Sequence, residues 1–160
     1  MLLGQNDRAL EMFERAVALQ PELPRAHLSL SHALLMKGEY GPGFAEYEWR
    51  YRLKSTENLL PRFKQATWNG MPLKASTLLV VCDQGFGDCF QYARYIKLAQ
   101  AKVKHLIIGA SVEIKPIFER LVGPGCVHDR WEELPPFDFQ ITLSSLPFVF
   151  GTTLATIPAK

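Results

Sequence analysis

The apolar positions near the start of the chain recur at helical spacing. Ala9, Phe13 and Ala16 are separated by four and three residues, which places them on one face of a helix. Pro21 follows them, and a proline cannot continue the hydrogen bonding of a helix interior. The pattern therefore predicts a helix that ends before Pro21.

Two more helices are predicted before residue 54. The first covers roughly residues 24–37 and is followed by Gly38, which suits a turn after a helix. The second covers roughly residues 42–53 and begins at Pro42, a residue favoured at the first helical position. The sequence thus predicts three consecutive helices in residues 1–54.

A period of 34 residues runs through this region. Three pairs of similar residues have this separation: Gly4 and Gly38, Phe13 and Tyr47, and Glu14 and Glu48. The period and the helical pattern resemble those of the tetratricopeptide repeat, a helical hairpin of about 34 residues. The first copy supplies only the second helix of a repeat, with Gly4 at the turn before it, and the next copy supplies both helices. The expected packing positions on its first helix are Leu30, Ser31 and Leu34.

The match to the repeat weakens in the second copy. Gly43 stands where a small alanine is usual, Arg50 replaces a later alanine, and Ser55 replaces the closing proline. A plain three-helix cluster with accidental spacing is the alternative. The resemblance implies about one and a half repeats in residues 1–54, a chain that begins inside a repeat array, and helices that dock a protein partner.

Beyond residue 76 the pattern changes to short apolar runs that alternate with amphipathic segments. The runs predict four strands, at residues 77–82, 105–110, 126–128 and 137–143. Two helices are predicted between them, at about residues 88–101 and 112–122. Strands that alternate with helices are typical of a parallel sheet. The expected fold class is therefore α + α/β: helical hairpins in residues 1–54, a connector in residues 55–76, and a partial Rossmann-like domain in residues 77–160.

Composition and charge exclude several classes of function. The chain has 160 residues with a formal net charge of +2, and no basic stripe that would indicate nucleic-acid binding. No apolar run reaches the ~18 residues of a membrane span. The odd, scattered set of Cys82, Cys89 and Cys126 matches neither a disulfide framework nor a zinc site. We therefore expect a cytoplasmic protein without a metal or other cofactor.

The turn "DQGFGD" after the first predicted strand is the candidate for chemistry. A dinucleotide-binding fingerprint needs a third glycine where this chain has Phe90. Gly85 and Gly87 would let an anion approach the start of the next helix, but the carboxylate of Asp88 would repel it. Asp88 could equally be a structural residue that caps the helix.

General base catalysis is the remaining possibility. The turn follows the carboxyl end of a parallel strand, where such sheets bind ligands. An aspartate at this edge is ionised at neutral pH and could accept a proton from a hydroxyl group. The residue types leave these alternatives open.

Two longer stretches carry a resemblance to a known family. They are "WNGMPLKASTLLVVCDQGFGDCFQYARYIKLA", which begins at Trp68, and "LPPFDFQITLSSLPFVFGTTLATIP", which begins at Leu134. Both are similar to the glycosyltransferase-like domain that follows tetratricopeptide repeats in many bacterial proteins. The strand, turn and helix around Asp88 also resemble the start of heptosyltransferase-type enzymes of the GT-B fold.

This resemblance implies an inverting transfer of a sugar from a nucleotide-sugar donor to a hydroxyl group. Asp88 would be the base, Gly87 would lie beside the acceptor, and Gln84 and Gly85 match the repeat-linked family. In the GT-B fold the donor is held mainly by a second Rossmann-like domain, which the resemblance places outside this sequence. The expected function is therefore that of an acceptor-side domain that is inactive alone. The alternatives are a non-catalytic protein-interaction module and a nucleotide-binding regulatory domain.

Overall fold

The computed structural model describes residues 3–53 and 63–159, with side chains from residue 6 onward. The described chain forms two compact units. The helical unit contains residues 3–53 and Gly151–Ile157, and the α/β unit contains residues 63–150 with residues 158 and 159. Ser55 and the first part of the predicted connector lie outside the described residues.

The helical unit contains the three helices that the sequence predicts. They are α1 (Leu3–Leu19), α2 (Pro24–Lys37) and α3 (Tyr40–Tyr47), and a 3₁₀-helix over Glu48–Arg52 continues α3. Gly38 ends α2 with a φ of 89°, a left-handed conformation that favours glycine. Gly4 was expected at a turn but lies within α1, because a single glycine does not prevent a helix.

The departure from the repeat pattern at Gly43 has a steric cause. Ser31 is fully buried on α2, and its Oγ donates a hydrogen bond of 2.8 Å to the carbonyl oxygen of Gly43 on α3. A Cβ atom on Gly43 would lie 2.8 Å from Cδ2 of Leu35. The two helices therefore approach too closely at this point for the usual alanine.

Substituting Gly43 with alanine should destabilise the helical unit. Forcing an extra methyl group into a packed interface typically costs about 1–3 kcal/mol. Chemical denaturation followed by circular dichroism would measure this loss. Because the clash is with Leu35, the cost of Gly43→Ala should fall substantially in a Leu35→Ala background. An equal cost in both backgrounds would show that the contact with Leu35 does not determine the effect.

His27 joins α2 to the segment after α3. Its side chain is buried, Nδ1 lies 2.5 Å from Oε2 of Glu46, and Nε2 lies 2.7 Å from the carbonyl oxygen of Pro21. The ring stacks on Trp49 with a centroid distance of 3.6 Å, and the guanidinium carbon of Arg52 lies 4.0 Å from the centroid of the Trp49 ring. His27 is thus a packing residue of the helical unit.

Arg50 is buried where the repeat pattern would have an alanine. Its guanidinium donates to Oε1 of Glu48 at 2.7 Å and to the carbonyl oxygen of Tyr47 at 2.9 Å. The guanidinium carbon lies 4.3 Å from the ring centroid of Tyr47 and 4.0 Å from that of Tyr51. The hydrogen bonds and ring contacts offset part of the cost of burying this charge.

The α/β unit is built on one five-stranded, wholly parallel sheet. Its strands are β1 (Ala66–Thr67), β2 (Leu73–Val81), β3 (Val103–Gly109), β4 (Val127–His128) and β5 (Phe139–Thr142), in the spatial order β1-β5-β2-β3-β4. Its helices are α4 (Phe86–Tyr92), α5 (Ile96–Gln100), α6 (Lys115–Val122) and α7 (Leu146–Val149). Residues 78–81 of β2 are almost completely buried, as expected for a central parallel strand covered on both faces. The predicted class of helices followed by a parallel α/β unit is confirmed.

Two predictions about this unit are wrong in detail. Part of the predicted connector belongs to the sheet, because it forms β1 and the first residues of β2, and it places Trp68 in the core. The single helix predicted for residues 88–101 is three segments, α4, a 3₁₀-helix over Ala93–Tyr95, and α5. An apolar stripe fixes which face is buried and does not distinguish a continuous helix from short segments that share that face.

Candidate functional site

The candidate site lies at the carboxyl edge of the parallel sheet. The turn at residues 82–85 follows β2 directly and leads into α4. Strand β5 is the neighbour of β2, and its last paired residue, Thr142, lies opposite Val81. The segment after β5 is therefore brought to the same edge as the turn.

Asp83 connects the turn to this neighbouring segment through hydrogen bonds. Its Oδ2 accepts a hydrogen bond of 2.5 Å from Oγ of Ser144, and its Oδ1 accepts one of 3.1 Å from the backbone N–H of Ser144. Ser144 and Ser145 are buried, and Ser145 accepts a hydrogen bond of 2.9 Å from the hydroxyl of Thr142. These bonds hold the start of the turn in a fixed position relative to the ends of two strands.

Gln84 is oriented by the same carboxylate. Its Nε2 donates to Oδ2 of Asp83 at 3.1 Å, and its carbonyl oxygen accepts a hydrogen bond of 3.3 Å from Sγ of Cys89. Both the side chain and the backbone of this half-buried residue are therefore used within the turn. A substrate contact of Gln84 would have to share or replace the bond to Asp83.

Asp88 does not cap its helix, so the capping interpretation is wrong. Helix α4 begins at Phe86, its N-cap is Gly85, and no side chain makes a cap hydrogen bond. Asp88 is the third residue of the helix, where a carboxylate interacts favourably with the helix dipole. Its side chain is half-buried, and within residues 3–53 and 63–159 it has neither a hydrogen bond nor an ion pair. Among the described residues, therefore, nothing occupies the oxygens of this carboxylate.

The glycines of the turn are not required by its backbone. Gly85 has a φ of −59°, and neither Gly85 nor Gly87 adopts the left-handed region that favours glycine. A Cβ on Gly87 would meet no atom within 4 Å, and one on Gly85 would meet only Oδ2 of Asp88, at 3.9 Å. The missing side chain of Gly85 therefore leaves open space beside the carboxylate of Asp88.

The structure thus places the four predicted site residues, Gln84, Gly85, Gly87 and Asp88, in one turn and the first part of one helix. It adds Asp83 and Ser144, which sequence reasoning did not identify. The sequence signal that could have identified Asp83 is its place as the first charged residue after a buried strand, a position that often faces a ligand. Its partner is 61 residues away in the chain, and the spacing between them carries no signal.

Neither a metal site nor a membrane segment is evident in the described ranges. Among their side chains, no group of three or more His, Cys, Asp or Glu residues is arranged to hold a metal ion. None of the helices in the described part of the chain is both long enough and apolar enough to cross a bilayer.

The family resemblance rests on the sequence alone. No protein-family model, curated protein sequence or solved structure matches this chain. The tetratricopeptide and glycosyltransferase assignments therefore stay predictions.

Proposed function

We propose that the α/β unit is the acceptor-side part of a sugar-transferring enzyme and that Asp88 is its general base. The observation that carries the proposal is the half-buried carboxylate of Asp88 at the carboxyl edge of a parallel sheet, which has no hydrogen bond or ion pair among residues 3–53 and 63–159. Such edges are where open α/β sheets bind ligands. The open space beside Gly85, where a Cβ would lie 3.9 Å from Oδ2 of Asp88, would give an acceptor hydroxyl access to this carboxylate.

The proposed reaction gives different roles to Asp83 and Asp88. Asp88 would accept the proton of an acceptor hydroxyl while that oxygen attacks the anomeric carbon of the donor, with inversion, and a nucleoside diphosphate leaves. Asp83 is poorly placed for this role, because both of its oxygens accept hydrogen bonds from Ser144. Asp83 would instead hold the turn so that Asp88 keeps its position.

The donor requires residues that this unit does not supply by itself. The resemblance to GT-B enzymes implies a second Rossmann-like domain that holds the nucleotide sugar. The unit alone is therefore expected to bind an acceptor without transferring a sugar. We propose a cytoplasmic location, where nucleotide sugars are available to such an enzyme.

Acceptor binding can be tested without the donor. Saturation-transfer NMR of this chain with free hexoses and heptoses at millimolar concentration should give a signal for at least one sugar. Gly85→Val should reduce that signal at least several-fold, because the new side chain would occupy the open space beside Oδ2 of Asp88. It should leave the far-ultraviolet circular dichroism spectrum unchanged.

A matched control is Ala101→Val. Ala101 is exposed in the turn before β3, at the opposite edge of the sheet from Asp88. A comparable enlargement there, by two carbon atoms, should leave the sugar signal at the wild-type level. The proposal fails if no sugar gives a signal, or if both variants reduce it equally.

A second candidate function, protein interaction, is favoured by a groove in the helical unit. The groove has a volume of about 190 Å³ and runs between α1 and α2. Its lining is largely apolar: Asn6, Ala9, Phe13, Ser29, His32, Ala33 and Met36. Met36 is 71 % exposed at its rim. If this groove binds a partner, Met36→Glu should abolish that binding and leave the sugar signal of the α/β unit intact.

A further inference from the structure

A second groove, in the α/β unit, runs between the end of α4 and α6. We call it the α4–α6 groove, and its volume is about 460 Å³. Pockets for small molecules in proteins usually have volumes of roughly 300–1,000 Å³. Six residues line the groove: Phe90, Ala93, Ile117, Phe118, Arg120 and Leu121. The groove is therefore large enough to hold a small molecule.

The spacing of the lining residues explains why they share this groove. Residues three or four apart lie on the same face of a helix. Ile117, Arg120 and Leu121 have this spacing on α6. Phe90 and Ala93 have it at the end of α4. Each helix thus presents one strip of about a single turn to the groove, and the two strips face each other.

The walls of the α4–α6 groove are apolar and accessible. Phe90 is 45 % exposed and Ile117 is 51 % exposed, whereas Phe118 is 1 % exposed and belongs to the core. Covering exposed apolar side chains is favourable, roughly in proportion to the area that is removed from water. The groove therefore favours a ligand with an apolar body that contacts both walls.

Arg120 gives the α4–α6 groove a positive charge. It is the charged residue among the six that line the groove, and its side chain is exposed. Within residues 3–53 and 63–159 it makes no hydrogen bond or ion pair. The neighbouring acid, Glu119, lies about 100° away around α6 and does not line the groove. Because a guanidinium binds a carboxylate through paired hydrogen bonds, Arg120 favours an acid as the ligand.

We propose that the α4–α6 groove binds a small amphiphilic acid, with the apolar body between Phe90 and Ile117 and the carboxylate on Arg120. A stable protein interface involves about 20–30 residues on each side, so six lining residues favour a small molecule over a protein partner. Asp88 precedes Phe90 by two residues, which places it about 160° away around α4. The groove is therefore a separate site, and its binding does not depend on the function that we propose for Asp88.

Three probes with the same apolar chain and different charges test the proposal. Octanoate, 1-octanol and octylammonium are titrated at pH 7 into the ¹⁵N-labelled chain, and the backbone amide signals are followed by NMR. Octanoate should shift the signals of residues 90–93 and 117–121. It should bind about two- to fivefold more tightly than 1-octanol, which is the usual effect of one exposed ion pair. Octylammonium should bind more weakly than 1-octanol, because its charge has the same sign as that of Arg120.

A pair of charge reversals completes the test. Arg120→Glu should invert the order of affinities, so that octylammonium binds more tightly than octanoate. Arg25→Glu is the matched control, since Arg25 is an exposed arginine on α2 in the helical unit, and it should keep the wild-type order. Both side chains are exposed, so the amide spectra should show that both variants remain folded.

Four results would overturn the proposal. The first is that none of the three probes shifts the signals of the groove, or that all three shift them at equal concentrations. The second is that octanoate shifts signals outside the groove instead. The third is that Arg120→Glu keeps the preference for octanoate. The fourth is that the signals of the groove shift with protein concentration in the absence of a probe, which would make the groove an interface between copies of this chain.

Discussion

Replacing Trp68 with alanine is expected to destabilise the α/β unit by about 3–5 kcal/mol, the usual cost of removing a large aromatic ring from a core. Trp68 is 2 % exposed and packs edge-on against Phe150 with a centroid distance of 5.9 Å. Its Nε1 donates to the carbonyl oxygen of Met71 at 2.8 Å. Its backbone N–H donates to the carbonyl oxygen of Gln140 on β5, also at 2.8 Å. Trp68→Ala would leave a cavity in the core and remove the hydrogen bond to the carbonyl oxygen of Met71.

Urea denaturation followed by far-ultraviolet circular dichroism would measure this loss, because removing a tryptophan alters fluorescence directly. Trp68→Phe keeps most of the ring and loses the hydrogen bond to Met71, so it should cost only about 1–2 kcal/mol. Trp131 is a matched control, since it is 42 % exposed. Trp131→Ala should cost clearly less than Trp68→Ala. Equal losses in the free energy of unfolding for the two alanine variants would show that Trp68 contributes no more to stability than an exposed tryptophan.

The importance of Trp68 illustrates why the sequence predicts some strands and misses others. The run at residues 77–82 is apolar on both faces, and it is the central strand β2. Strand β1 has two residues, both exposed, at one edge of the sheet. Two residues cannot show a periodic pattern, so β1 and the anchoring of Trp68 depend on a pairing with β5 that lies 73 residues away.

The candidate site shows the same division between local and long-range information. The predicted site residues, from Gln84 to Asp88, are neighbours in sequence, and their prediction used only a strand followed by a glycine-containing turn. The role of Asp83 could not be predicted, because it depends on Ser144 at the end of a different strand. The capping alternative for Asp88 is wrong because the N-cap of the helix is Gly85, three residues earlier. Helix boundaries depend on backbone geometry that a pattern of residue types describes only approximately.

Asp88→Asn should lower sugar transfer by about a hundred- to ten-thousandfold, the usual contribution of a general base. The assay requires the protein together with the donor-binding domain that we propose. The amide has nearly the shape of the carboxylate but does not accept a proton at neutral pH. Asp88 has no hydrogen bond or ion pair among the described residues, so the substitution should change the free energy of unfolding by less than about 1 kcal/mol. The rate constant kcat and the unfolding midpoint should be measured on the same preparation.

Asp83→Ala is the variant that separates catalysis from positioning. It would leave the buried hydroxyl and the N–H of Ser144 without the acceptor that they now share, so stability should fall by about 1–3 kcal/mol. Its turnover should fall because the turn loses its anchor, and a stabilising solute should restore part of that activity. The same solute should not rescue Asp88→Asn, because that variant is folded and lacks a proton acceptor. If Asp88→Asn keeps wild-type turnover, or if a stabilising solute restores its activity, Asp88 is not the base. Its carboxylate then acts only through its interaction with the dipole of α4.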